Sequence, residues 1–94
     1  LTENHIKRQV KDLLSALGIF NYHVLAGLGA FPGLPDRVMH YKGRVIYLEL
    51  KSATGKMRDA QVRFQEQCRQ DGIDYWVIRD ADELYERIRS YEHD

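Results

Sequence analysis

Ile6, Val10, Leu13, Leu14 and Leu17 recur at i, i+4, i+7, i+8 and i+11, the spacing of one buried stripe on an α-helix. Thr2 stands where an N-cap hydroxyl belongs, and Gly18 where such a helix stops. At about 100° per residue, Glu3 falls in line with the stripe, so an acid faces the protein. Lys7, Arg8 and Lys11 are assigned to the solvent face. The simpler account of Glu3 is that acids favour the positive end of a helix.

Residues 19 to 25, IFNYHVL, read as a first strand. The following AGLGAFPGLP carries three glycines and two prolines, which forbid regular structure. Gly27 and Gly29 open a G-x-G-x-x-G pattern, but its third glycine would be residue 32, a proline, and no helix follows, so a phosphate-binding fingerprint fails. The loop is expected to let backbone pass close to a site or ligand.

Two strand-like runs come next, Arg37 to Tyr41 and Arg44 to Lys51, around a two-residue Lys42-Gly43 turn. That turn sets a register in which Asp36 lies across from Glu49. Period-two alternation puts Glu49 and Lys51 on one face and Ile46, Leu48 and Leu50 on the other. A three-residue loop with a bulge would shift the register by one and spoil the pairing.

After SATGK, a helix from about Arg58 to Arg69 presents Met57, Ala60, Phe64 and Cys68 on one stripe, with Gln61 also inward. Gly72 ends it, and IDYWVI forms a strand reached by a helical crossover, hence parallel to Arg44–Lys51. Tyr75 and Trp76 are assigned to core packing in a central strand. Asp80-x-x-Glu83 is a capping box for a last helix presenting Leu84, Ile88 and Tyr91, and the closing SYEHD is expected to fray. The fold class is α/β, in the order α-β-β-β-α-β-α, with a mixed four-stranded sheet flanked by helices. Its 94 residues fit a single domain, 1–94.

Composition narrows the function. Apolar residues make up 44% and charged residues 30%, with 14 basic and 14 acidic side chains, which describes a globular domain and argues against a histone-like electrostatic binder. A local basic face stays open, because groove binding depends on where charges sit. A single cysteine, Cys68, excludes an internal disulfide and suits a reducing compartment; on its apolar stripe it reads as inert filler. No run approaches a membrane span and no signal-peptide pattern opens the chain, so a cytoplasmic setting is expected, in a bacterial or phage-infected cell, with nucleoid association open. Opening on Leu1 rather than Met, the chain is expected to be trimmed or processed. His5, His23, His40 and His93 lack a zinc spacing, and nothing resembles a nucleophile elbow.

The chemistry gathers on Asp36, Glu49 and Lys51. Two close carboxylates repel, and one pKa rises unless a cation shares the site. A salt-bridge cluster at a strand end is the plainer reading. Against it, the pair sits at the end of a Gly-Pro loop with Glu3 and Gln61 on the inward stripes of two helices. An acid-rich oxygen site suits Mg²⁺ or Mn²⁺, and Lys51 then orients or helps deprotonate a water attacking a phosphodiester and offsets charge on the pentavalent phosphate.

These residues resemble a known family. Pro35-Asp36, followed by Glu49-Leu50-Lys51 with Glu49 thirteen positions after Asp36, matches the PD-(D/E)xK nuclease signature. Gly33-Leu34-Pro35-Asp36, Glu49-Leu50-Lys51 and Gln61, preceded by an acid in the first helix, resemble the VRR-NUC domain, the virus-type replication-repair nuclease, over Glu3 to Ile78. The resemblance implies a restriction-endonuclease-like core. It further implies Asp36, Glu49 and the Leu50 carbonyl as metal ligands, Lys51 as the catalytic lysine, and Glu3 and Gln61 as supporting site residues, with Glu3 counted among the metal ligands as well. The related exonuclease pattern Q-x-x-x-Y is broken, because Gln65 follows Gln61, which lowers the expectation of processive exonuclease action.

The chain looks like the stand-alone viral or bacterial type, expected to be a metal-dependent DNA endonuclease selective for branched DNA such as four-way junctions or flaps, in replication and repair. A homodimer is expected, since one small domain presents little surface to a duplex. Lys56 and Arg58 are the favoured phosphate contacts, with Lys42, Arg44 and Arg63 also placed near the site; Lys7, Arg8 and Lys11 read more simply as a solvated face. The alternative is a non-catalytic nucleic-acid-binding or assembly module that keeps the fold. A sequence-specific restriction enzyme would need a recognition region that the length does not supply.

Overall fold

The computed structural model describes residues 1–92. The elements are α1 (Glu3–Ala16), β1 (Asn21–His23), β2 (Arg37–Tyr41), β3 (Arg44–Leu50), α2 (Asp59–Asp71), β4 (Asp74–Ile78) and α3 (Ala81–Glu92), in the order that periodicity predicts. The Thr2 hydroxyl accepts the His5 N–H at 3.2 Å and caps α1. Ile6, Val10 and Leu14 are buried along it. Leu17 is not part of this stripe: it is the C-cap residue and stays exposed, because the chain already turns there.

The sheet order is β1-β2-β3-β4. In the β2–β3 hairpin Arg37 opposes Leu48 and Tyr41 opposes Arg44, the register set by a two-residue turn. Lys42 and Gly43 both have positive φ, 51° and 78°, as required by the primed turn whose twist matches that of its strands. The ladder extrapolates one step to Asp36 opposite Glu49. β4 runs parallel to β3, with Glu49 opposite Val77.

Two expectations are corrected. β1 keeps only three residues, because Ile19 turns into the core and the chain beyond His23 leaves to form the 24–36 loop. That loop is closed at its base by the Val24 N–H donating to the Asp36 carbonyl at 2.9 Å. β4 is an edge strand, not a central one, since β2 already occupies the other side of β3.

Alternation divides the sheet's faces. Met39, Ile46, Leu48, Leu50, Trp76 and Ile78 meet Ile6, Val10 and Leu14 of α1 and Leu84 and Ile88 of α3 in one core. Burying side chains of this kind contributes roughly 1.5–3 kcal/mol each. The opposite face carries α2, where Phe64 packs against the Tyr47, Tyr75 and Phe31 rings. Asp80 accepts the Glu83 N–H at 2.7 Å, while Glu83 reaches back to the Arg79 N–H at 2.6 Å, a capping box whose return bond falls one residue early. α3 holds its helix through Ser90 and Tyr91 to Glu92, so the expected fraying does not begin at Ser90; residues 93 and 94, His93 among them, lie outside the described residues. Among those described, no helix is long and apolar enough to cross a membrane.

Candidate active site

β2 begins and β3 ends at the same edge of the molecule, and the hairpin register carries Asp36 to Glu49 there. One oxygen of Asp36 accepts the Leu50 N–H at 2.8 Å, which fixes the carboxylate over the end of β3. Glu49 is 1% exposed and Lys51 5%; a strand buries two such groups only when each meets a partner. The Lys51 ammonium lies 4.0 Å from Glu49 Oε1, and the Lys51 N–H donates to the Ile78 carbonyl at 3.0 Å, extending the parallel ladder past its last pair.

Gln61 joins them from the first turn of α2. Its amide nitrogen donates to Glu49 Oε1 at 3.2 Å, and its oxygen accepts the Arg58 N–H at 2.8 Å. The same side chain therefore caps its own helix and holds the acid. Gly33 makes this possible: at φ +83° its backbone passes so close to the start of α2 that any Cβ would collide with the Ala60 carbonyl. The glycine- and proline-rich loop is thus pressed onto the site, as its composition suggested. A cavity of about 250 Å³ lies between this loop and α2, lined by Asp36, Arg58 and Gln61 among others.

Tyr75 completes the set. Sequence reasoning gave it to core packing, but its half-buried hydroxyl donates to Glu49 Oε2 at 3.3 Å. Burial, then the hydrogen bond and negative charge of Asp36, push the Glu49 carboxyl from 4.5 up to about 8, against the pull of Lys51 and Tyr75. Burial and then the charge of Glu49 push the Tyr75 phenol well above its ordinary range. Glu49 is thus held beside a second acid in a desolvated place where it ionises only at a cost.

Glu3 does not reach this group directly. Its carboxylate lies 3.6 Å from the Lys7 ammonium, which in turn lies 3.5 Å from Asp36 Oδ1. Lys7, although its side chain is 42% exposed, is therefore also the bridge between α1 and the site. Only its pairing with Glu3 was legible, because the two stand four apart on α1 and share a face. Arg79 is the other group not foreseen: its guanidinium donates to the Ser52 carbonyl at 2.6 Å and the Gly55 carbonyl at 2.7 Å, tying down the turn that follows Lys51.

Lys56, Arg58 and Arg63 are exposed, the first two between Lys51 and α2. Lys42 and Arg44 are not near the site. They occupy the turn end of the hairpin, and Glu49 is five residues along β3 from Arg44, roughly 17 Å at a strand's rise. Arg44 instead faces Asp74 and the Tyr91 ring.

A solved chain described as a "VRR_NUC domain" matches this one with a TM-score of 0.79, covering 97% of this chain and 99% of its own, at 23% identity. The chain has the VRR_NUC domain fold. At that identity the VRR_NUC match speaks for architecture, including the mixed four-stranded sheet between helices, and leaves the chemistry to the residues in place. No family model and no curated protein matches the sequence.

The residues fit a divalent ion of the magnesium kind. Asp36 and Glu49 present oxygens that repel one another, and the Leu50 peptide is locked beside them. Among the described residues no three His, Cys, Asp or Glu side chains gather tightly enough to hold an ion unaided. A hard cation that retains water and takes one or two protein carboxylates suits such a site, whereas an all-protein cage does not.

Proposed function

We propose that this chain is a Mg²⁺- or Mn²⁺-dependent DNA endonuclease acting on branched DNA in replication or repair, in the cytoplasm and as a homodimer. The observation that carries the reading is the meeting of the Asp36 and Glu49 carboxyls beside the buried Lys51 ammonium at one end of a VRR_NUC-type sheet. Asp36, Glu49 and the Leu50 carbonyl are the groups that would hold the ion. When bound, a divalent cation supplies Lewis-acid polarisation of the phosphodiester and makes water easier to deprotonate.

The chain's own groups do the rest. Lys51, fixed by its backbone bond to Ile78 and its approach to Glu49, orients the attacking water and offsets charge growing on the phosphate oxygens. Gln61 and Tyr75 hold the two Glu49 oxygens from opposite sides, so its carboxylate keeps one orientation while its partners change. Lys7 keeps Glu3 close to Asp36 and leaves Glu3 a supporting position at the margin. Lys56 and Arg58, exposed between Lys51 and α2, are the side chains that would contact phosphates.

The test is a labelled panel of single strands, flaps, splayed arms, duplexes and four-way junctions, incubated with Mg²⁺, Mn²⁺ or EDTA. Wild type is expected to cut a branched member with either ion and none in EDTA, and Lys51→Ala to lose cleavage by a factor of at least about 10³ while still binding DNA. Undiminished cutting by Lys51→Ala would refute the assignment.

A further inference from the structure

Asp36 borders a second cavity on the far side from Gln61. It measures about 390 Å³ and lies between α1 and the beginning of β2, lined by Lys7, Arg8, Lys11, His23, Arg37 and Asp36, with Val24 and Leu50 closing it. Four cations and a histidine thus face one carboxylate, in a chain whose formal charge is zero. The concentration is local, and it is composed by the fold. Arg8 and Lys11 project from α1, while His23 and Arg37 are cross-strand partners on β1 and β2.

The cations are not used up by the protein. Lys7 is shared between Glu3 and Asp36, and the Arg37 Nε–H is bound to the Asn21 side-chain oxygen at 2.6 Å, which aims its guanidinium. Arg8 and Lys11 are exposed and enter no ion pair among the described residues. Such a cleft costs self-repulsion unless an anion enters it.

From this we infer that the α1–β2 cleft is a backbone-phosphate site, and that it takes the DNA phosphates flanking the one held at Asp36 and Glu49. The inference rests on the proposed nuclease reading for the identity of the polyanion. Asp36 and Val24 line both cavities, so a strand crossing the end of the sheet passes from the Gln61 side, over Asp36, into the basic cleft. The contact is with phosphates and carries no base sequence.

The experiment is a salt titration of DNA binding by fluorescence anisotropy in EDTA, with the DNA that wild type cuts best, or a four-way junction if it cuts none. Wild type is compared with Arg8→Gln/Lys11→Gln and with Arg69→Gln/Arg89→Gln, which removes the same charge elsewhere. Each phosphate contact contributes about 0.9 to the slope of log K against log salt, so the cleft variant should lose about two from the slope and bind at least tenfold more weakly at low salt. The remote variant should keep the wild-type slope. Circular dichroism spectra of all three should coincide, because every substituted side chain is exposed.

An unchanged slope in Arg8→Gln/Lys11→Gln, or an equal fall in the remote pair, overturns the cleft. Absence of DNA binding by wild type overturns the cleft and the nuclease reading together. Binding with the expected slopes but no cleavage in Mg²⁺ or Mn²⁺ removes the nuclease reading and leaves the cleft standing.

Discussion

Replacing Glu49 by glutamine removes the most perturbed acid of the site while keeping its shape. In the metal-free protein the Glu49 carboxyl holds its proton up to about pH 8, whereas in the unfolded chain it ionises near 4.5. Between those values the native state binds more protons than the unfolded one, so this group's contribution to stability is full below about pH 4.5 and is lost as the pH rises through 8. A difference of about 3.5 in pKa, at roughly 1.4 kcal/mol each, sets a ceiling near 5 kcal/mol. Relaxation and water penetration soften the burial of the acid, which brings the expected effect to about 2–3 kcal/mol.

Glutamine at position 49 does what the protonated acid does: its oxygen accepts from Gln61, and its nitrogen donates to Asp36. Glu49→Gln should therefore be more stable than wild type at pH 8.5 by about 2–3 kcal/mol, or roughly 10 °C or more in Tm for a domain of this size, and equal to it at pH 4.5. The assay is urea and thermal unfolding by circular dichroism in EDTA from pH 4 to 9, read as the difference between the two proteins so that other acids cancel. Adding Mg²⁺ or Mn²⁺ at pH 8.5 should raise wild type and leave the variant nearly unmoved. A difference that stays flat across the pH range would refute the reasoning.

Gly33→Ala should cost about 2 kcal/mol or more in urea unfolding, since it sets a side chain at φ +83° and drives it into the Ala60 carbonyl; by displacing the start of α2 it should also weaken cleavage through Gln61. A loss below about 0.5 kcal/mol would mean that the loop is not pressed against the helix. Light scattering at working concentration should give twice the 11.0 kDa chain mass, and a mass of one chain would remove the dimer from the proposed function.

The hairpin and its consequence were legible because a two-residue turn fixes register, and register fixes which residues meet. Gln61 was legible from its place on the inner stripe of α2. Tyr75 was not, because its face depends on the parallel offset between β3 and β4, which no turn sets; once Tyr75 pairs with Tyr47, it shares a face with Glu49. The assignment of β4 to the sheet's centre failed for a related reason: periodicity reports burial, and a helix packed on an edge strand buries it as neighbouring strands would. The reach of Lys7 to Asp36 was not legible, because a helical wheel has no knowledge that the first turns of α1 overhang the start of β2. Arg79 answers to carbonyls of an irregular turn, which leave no periodic trace. The aromatic packing of Phe64 on Tyr47 and Tyr75 was half visible, as a stripe on α2 without its partners.

The Lys42–Gly43 turn stands at the opposite end of the hairpin from the acids. Asp36 and Glu49 are brought together by the rungs of a ladder, not by the length of chain between them. Residues added at that tip would lengthen the interval between the acids and move neither. One residue added between Leu48 and Glu49 would instead rotate the acid into the apolar layer beneath α1. The spacing of these acids records how far one hairpin happens to extend, so the tip is where a tag or an added recognition element can be grafted with the acid pair left in place.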